Sequence, residues 1–157
     1  MSDLFDLPFE DEDIDGVSCR VAAHHFDNVP QFLEEVNRVL VPGGWFLLVD
    51  TVAPDDPDAD VALNEFERIR DPSHRRNPRI GEWVVLVRSV GLTVEAVSDR
   101  YKRLDLQEWM DRMSVSQEDQ VRLRRIVHES SGPLRVYLDP DGTSFNLQEM
   151  TLLAKKR

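Results

Sequence analysis

The pattern of apolar positions in the first third of the chain predicts a strand, a helix and a second strand. The run Ile14–Arg20 is rich in β-branched and small residues, which favours a buried strand. Apolar residues in the segment 32–40 recur at i, i+1, i+4, i+7 and i+8, on one face of a helix. A Pro-Gly-Gly turn at 42–44 ends that helix, and the apolar run 45–49 predicts the second strand. The short links between these elements predict a βαβ unit with parallel strands.

The later part of the chain predicts helices separated by loops, and two more strands. The segment 53–60 contains four acidic residues and two prolines, which predicts a loop, and a second loop is expected at 71–78. Helical spacing or alternation of apolar residues marks the other elements, which are helices at 61–70, 80–90, 106–113 and 117–128 and strands at 92–97 and 145–154.

Composition and charge indicate a globular protein and exclude some classes of function. Hydrophobic residues make up 41% of the 157 residues, which is enough for the core of one domain. The net charge of −11 argues against nucleic-acid binding, because phosphates would be repelled. Cys19 is the single cysteine, so no intrachain disulfide is expected. The acidic N-terminal segment lacks an apolar run, so we expect no signal peptide there, and no stretch approaches the roughly 18 apolar residues of a membrane span. We therefore expect a cytoplasmic protein.

An ordered series of segments resembles a known family. The first is LPFEDEDIDGV at 7–17, followed by CRVAAHHF at 19–26, and the second is EVNRVLVPGG with its following strand at 35–50. Both are similar to the region of the fourth and fifth strands in class I SAM-dependent methyltransferases of the ubiquinone/menaquinone-biosynthesis-like branch. SAM stands for S-adenosylmethionine. The run RDPSHR at 70–75, with Glu-Trp at 82–83, resembles a narrower subgroup of that family.

The resemblance implies an α/β fold that is the C-terminal half of a Rossmann-like methyltransferase sheet, with strands in the order 4-5-7-6 and flanking helices. These strands correspond to Ile14–Cys19, Trp45–Val49, Phe145–Ala154 and Leu92–Val97, with the first two parallel and 145–154 antiparallel to its neighbours. The first three family strands are expected to be absent, because nothing before Leu7 is long enough to hold them. Residues 1–157 would then be a single truncated domain.

The cofactor implied by the resemblance is SAM. In the family a glycine-rich turn holds this cofactor, but the seven glycines of this sequence do not form that motif. We therefore expect SAM to bind with a dissociation constant no lower than roughly millimolar, which corresponds to a binding free energy of about 4 kcal/mol. By position in the family, Asp3 accepts a hydrogen bond from the adenine amino group and Leu4 offers a backbone N–H, or else both lie in a frayed terminus. Cys19, Arg20 and Val21 would line the methionine end of SAM, or would simply end a buried strand.

Three histidines are candidates for the chemistry. His24 and His25 follow the carboxyl end of a strand, where ligands bind in open α/β sheets. His24 is the candidate general base, and the alternative is a structural histidine. His25 is a candidate for substrate contact or packs against Phe26, and His74 contacts substrate or lies in an exposed loop. No metal site is expected, because adjacent histidines on a strand point apart and no Cys/His cluster completes a set of ligands.

Two functions remain open from the sequence. The family function is methyl transfer from SAM to an unidentified small molecule, in which the protein mainly supplies proximity and orientation. The alternative is a non-catalytic methyltransferase-like protein that pairs with itself or with another chain. The strand Ile14–Cys19 would have an open edge that carries no protecting lysine or proline, so we expect a homodimer through that edge.

Overall fold

The computed structural model describes residues 5–129 and 142–157, which form an α/β fold with a mixed four-stranded sheet. The strands are β1 (Ile14–Arg20), β2 (Leu40–Thr51), β3 (Leu92–Asp105) and β4 (Ser144–Lys156). The helices are α1 (Val29–Val39), α2 (Pro57–Arg70), α3 (Ile80–Ser89), α4 (Leu106–Asp111) and α5 (Gln117–Glu129). None of the helices in the described ranges is both long and apolar enough to cross a membrane.

The strand order confirms the expected succession of the four strands. Hydrogen-bonded neighbours follow the order β1-β2-β4-β3, so the strand at 145–154 lies between those at 45–49 and 92–97. The strands β1 and β2 are parallel, as the βαβ pattern predicts, and Gly16 to Arg20 pair in register with Trp45 to Val49. The carboxyl ends of β1 and β2 therefore lie side by side at one edge of the sheet.

The Pro-Gly-Gly turn lies inside β2, whereas the sequence placed the start of that strand at Trp45. The strand begins at Leu40, directly after α1 ends at Val39, and its register against β1 is irregular between Ile14 and Gly16. Gly43 has φ of +83°, and a Cβ on Gly44 would lie 2.8 Å from the carbonyl oxygen of Val41. Glycine is therefore required for the chain to pass from helix to strand without a longer loop.

A close contact with β2 also requires glycine at position 16. A Cβ on Gly16 would lie 2.1 Å from Cε2 of Trp45, its register partner on β2. The indole of Trp45 is 42% exposed and covers the space that a side chain on β1 would occupy.

The helix α2 begins at Pro57, so the predicted loop at 53–60 was wrong in its second half. The carboxylate of Asp56 accepts hydrogen bonds from the N–H groups of Asp58 and Ala59, each at 3.0 Å, and so caps the helix. Pro57 suits the first turn, and acidic residues there interact favourably with the helix dipole. The strand β3 also continues beyond the predicted end at Val97, through polar residues that are mostly exposed.

The first compact unit contains Met1–Asp50, Ile80–Asp99 and Met150–Arg157. The apolar stripe of α1 is buried as predicted, and Asn28 caps that helix by accepting the N–H of Gln31 at 3.1 Å. Arg38 of α1 binds the segment before β1, because its guanidinium contacts Asp11 at 2.7 Å and the carbonyl of Leu7 at 3.2 Å. The buried core of this unit includes Phe32, Leu33, Val36, Val39, Phe46, Leu48, Trp83, Val87 and Leu152.

The second compact unit contains Thr51–Arg79 and Arg100–Glu149. Its core joins α2, α4, α5 and the start of β4. The rings of Phe66 and Trp109 stack at 5.0 Å with 9° between their planes, and Phe145 packs edge-on against both. The guanidinium of Arg70 lies 4.5 Å from the centre of the Trp109 ring. The other buried members are Leu63, Leu106, Met110, Leu123, Val127 and Leu147.

Candidate functional site

The chain turns sharply where β1 ends in the first unit. Val21 follows the last strand residue and has φ of +50°, in the left-handed region that β-branched residues rarely adopt. Its N–H donates to the carbonyl of Val49 at 2.8 Å, which holds the strained conformation. A 3₁₀ turn at Ala23–His25 follows. Such strain costs of order 1–3 kcal/mol and clusters at active sites and ligand clamps.

The turn after β1 places His24 against Asp50, near the end of the neighbouring strand β2. Nδ1 of His24 lies 2.6 Å from Oδ1 of Asp50, and the backbone N–H of His24 donates to Oδ2 at 3.2 Å. Asp50 is fully buried, whereas the side chain of His24 is 12% exposed. Because a carboxylate accepts hydrogen bonds, the Nδ1–H tautomer is favoured, and the lone pair of the neutral ring is on Nε2. The pair can accept a proton at Nε2.

Sequence reasoning did not identify Asp50 as a partner of His24. The sequence pattern indicated only that Asp50 ends an apolar strand. The usable signal was the predicted βαβ unit, because the carboxyl ends of two adjacent parallel strands meet at the same edge of a sheet. An aspartate at the end of one strand and a histidine just beyond the other are then neighbours.

The structure places His25 beside His24, and the ring of Phe26 against Phe32 of α1. The ring centres of the two histidines are 4.1 Å apart with 49° between their planes, while Phe26 packs edge-on against Phe32 at 4.9 Å. The role of His25 in substrate contact stays a prediction.

Cys19 and Arg20 come directly before the strained turn. Cys19 is 7% exposed, and burial together with the negative charge of Asp50 raises the pKa of its thiol from 9.0 to about 11. The thiol is therefore protonated near neutral pH and is a small uncharged group, unsuited to act as a nucleophile. Arg20 is exposed.

Cys19 is expected to resist thiol reagents in the folded protein. At about pH 8 we expect labelling by a disulfide reagent to be at least roughly 100-fold slower than in urea, because burial disfavours the thiolate. A folded pKa above the unfolded value stabilises the fold below about pH 9, and that contribution is lost as the pH rises toward 11. As Cys19 is the single cysteine, the absorbance of the released thiol measures this site alone. Equal rates with and without urea would contradict the prediction.

His74 lies in the second unit, where it joins a buried polar network. It is 2% exposed, so the alternative of an exposed loop is wrong, and its Nε2 lies 3.0 Å from Oδ1 of Asn64. The same oxygen accepts the N–H of Asn77 at 2.6 Å, while Nδ2 of Asn64 donates to Asp60 at 2.8 Å. The imidazole therefore donates from Nε2 and fixes the loop after α2. A contact between His74 and substrate stays a prediction.

Similar proteins establish the family. Residues 1–48 match the family described as "Methyltransferase domain". YcgJ of Bacillus subtilis, an uncharacterized methyltransferase, is 40% identical over 106 residues, which cover 68% of this chain and 42% of YcgJ. The crystal structure of YcgJ has a TM-score of 0.93 and 31% identity over 99% of this chain and 69% of that chain. YafE of Escherichia coli, an uncharacterized protein, is 36% identical over 138 residues, or 87% of this chain and 67% of YafE. The chain belongs to the class I SAM-dependent methyltransferase family.

The described residues that the resemblance places at the methionine end of SAM have side chains suited to that position. Val21 is 45% exposed and offers an apolar surface, the Cys19 thiol is uncharged, and the exposed guanidinium of Arg20 is suited to a carboxylate. Asp3 and Leu4, predicted to contact adenine, lie outside the described residues. Within residues 5–129 and 142–157, no group of three or more His, Cys, Asp or Glu side chains is arranged to hold a metal ion.

Proposed function

We propose that this protein takes part in SAM-dependent methyl transfer to a small molecule whose acceptor atom carries an ionisable proton, with His24 as the general base. The observation that supports this is the 2.6 Å contact between Nδ1 of His24 and the buried carboxylate of Asp50. A carboxylate that orients a histidine in this way favours proton acceptance at the opposite ring nitrogen.

Proton transfer in this proposal depends on the imidazole of His24 and the carboxylate of Asp50. Bound SAM supplies an electrophilic methyl group. Nε2 of His24 takes the proton from the acceptor, Nδ1–H remains hydrogen-bonded to Asp50, and the carboxylate stabilises the imidazolium that results. The backbone N–H of His24 donates to the second oxygen of Asp50, so both carboxylate oxygens bind His24 and keep the ring in place.

The residues before His24 would position the cofactor in this proposal. Arg20 would pair with the methionine carboxylate, and the side chain of Val21 would exclude water from the reacting groups. Cys19 would contribute an uncharged wall, because a protonated thiol neither attracts nor repels the sulfonium. The strain at Val21 supports this assignment, since a valine held at positive φ directs its side chain to a place that an ordinary strand end would not reach.

In the second candidate function, the protein is non-catalytic and self-associates through β1. Among the described residues, β1 is the terminal strand of the sheet and has one hydrogen-bonded neighbour, β2. Ile14–Cys19 would then pair with the same strand of a second copy, as expected from its sequence.

A SAM titration followed by amide NMR separates the two functions. We expect a dissociation constant near millimolar, with shifts concentrated at residues 19–24. Arg20→Gln should weaken binding about tenfold, because it removes a charge-assisted hydrogen bond, whereas Arg88→Gln on an exposed face of α3 should have no effect.

Two outcomes would contradict the expectations for SAM. A micromolar dissociation constant would show that tight binding does not need the glycine-rich turn. An absence of shifts at 19–24 with several millimolar SAM, combined with twice the chain mass in light scattering, would favour the self-associating protein instead.

A further inference from the structure

The proposed base lies in the middle of a very short turn. His24 is the central residue of the 3₁₀ turn Ala23–His25, which is closed by backbone hydrogen bonds of 3.0 and 3.1 Å. The backbone N–H of His24 itself donates to the carboxylate of Asp50. A single turn of this kind has little stability of its own. The position of the His24 ring therefore depends on the contacts that hold the two ends of the turn.

The first end of the turn is fixed by the backbone and by burial. The N–H of Val21 donates to the carbonyl of Val49 on β2 at 2.8 Å, and the small side chain of Ala23 is fully buried. These contacts place the chain before His24. They do not determine the direction in which the chain leaves the turn after His24.

The second end of the turn is fixed by an aromatic ring. Phe26 directly follows the turn, and its ring packs edge-on against Phe32 of α1 with the ring centres 4.9 Å apart. Phe32 packs edge-on against Phe46 of β2 at 6.1 Å. Because Phe32 is 4% exposed and Phe46 is fully buried, this aromatic row joins the end of the turn to the core of the first unit.

The aromatic row lies on the face of the sheet that carries the partner of the base. Phe46, Leu48 and Asp50 are alternate residues of β2 and all three are buried, so their side chains lie on the same face. The strand that receives the last ring of the row therefore also carries the carboxylate that binds His24. The ring of Phe26 thus connects the turn to the same strand as the contact between His24 and Asp50.

We propose that Phe26 is a positioning residue for His24, an inference that rests on the proposed role of His24 as the general base. The ring holds the end of the turn against α1, so that Nδ1 of His24 stays on the carboxylate of Asp50. Without the ring, the turn keeps its connection to β2 through Val21, but its second end is free to move. A displacement of about 1 Å in a catalytic group can cost about 100-fold in rate.

Nitrogen NMR of the His24 ring tests this inference without any substrate, at a pH where the ring is neutral. In the natural sequence we expect the Nδ1–H tautomer to dominate, because the carboxylate of Asp50 accepts that proton. Phe26→Leu should lower the ratio of the Nδ1–H to the Nε2–H tautomer about tenfold, because a hydrogen bond to a charged group is weakened. Phe26→Tyr keeps an aromatic ring and should retain the original ratio. An unchanged ratio in Phe26→Leu overturns the proposal.

Val87→Ala is the control for a general loss of stability. Val87 is a fully buried residue of α3 in the same unit and is not part of the aromatic row. Its truncation should lower the midpoint of urea unfolding while the ratio of the His24 tautomers stays the same. A change of this ratio as large as that in Phe26→Leu overturns the proposal, because the tautomer would then follow stability and not the ring of Phe26.

The rate of methyl transfer distinguishes this inference from the proposed function. Phe26→Leu should lower kcat about 10- to 100-fold and change KM for SAM less than about twofold, because Phe26 is outside the residues assigned to SAM. If Phe26→Leu alters the tautomers while His24→Gln keeps the full rate, Phe26 positions the ring but His24 is not the base. If His24→Gln loses the rate while Phe26→Leu changes neither the tautomers nor kcat, His24 remains the base and positioning by Phe26 is overturned.

Discussion

Replacing His24 by glutamine is expected to lower the rate of methyl transfer about 100- to 10,000-fold, the usual contribution of a general base. Glutamine keeps the approximate size of the side chain but cannot accept a proton near neutral pH. Transfer of labelled methyl groups from SAM to a panel of phenols measures the rate, with SAM several times above its dissociation constant.

Substitutions of Arg88 and Asp50 test this prediction further. Arg88→Gln changes an exposed residue of α3 that belongs to no candidate site, so it should retain most of the rate. Asp50→Asn should resemble His24→Gln, because an amide N–H facing Nδ1 favours the tautomer with the proton on Nε2 and removes the acceptor lone pair. If Arg88→Gln cost as much as His24→Gln, or if Asp50→Asn had no effect, His24 would not be the base.

Replacing Trp109 by alanine is expected to destabilise the protein by about 3–5 kcal/mol, which is the range for deleting a large buried aromatic side chain. Trp109 is 3% exposed. The substitution removes its stack on Phe66, its edge contact with Phe145 and its contact with the guanidinium of Arg70. Urea unfolding followed by circular dichroism gives the free energy of unfolding.

The exposed Trp45 provides the matched control for this substitution. Trp45→Ala should cost no more than about 1–1.5 kcal/mol, because the indole is 42% exposed and leaves no enclosed cavity. Similar losses for the two tryptophans would show that the aromatic cluster of the second unit does not dominate its stability.

The first βαβ unit could be predicted from the sequence because its signals are local. The apolar stripe of α1 and the two flanking apolar runs each have one clear period, and the short links favour parallel pairing. The order of all four strands depended on the family resemblance instead, since contacts between β2, β4 and β3 join residues far apart in the chain. The end of β3 was missed because its exposed polar residues show no alternation.

The candidate site was predictable in its residue types and less so in its geometry. His24 was identified from its position after β1, but its partner Asp50 requires the register of two strands. The start of α2 was missed because acidic residues and prolines are common both in loops and in first helical turns, and only the cap formed by Asp56 decides between them. The burial of His74 depends on Asn64, ten residues earlier, which no local pattern indicates.

The contact between Gly16 and Trp45 has a consequence for sequence variation in related proteins. Because the indole occupies the space of a Cβ on β1, the two positions are coupled across the strands. A homologue that acquires alanine or a larger residue at position 16 would need a smaller or differently oriented residue at position 45. Covariation between these two columns would then be a signature of the same parallel register in distant sequences.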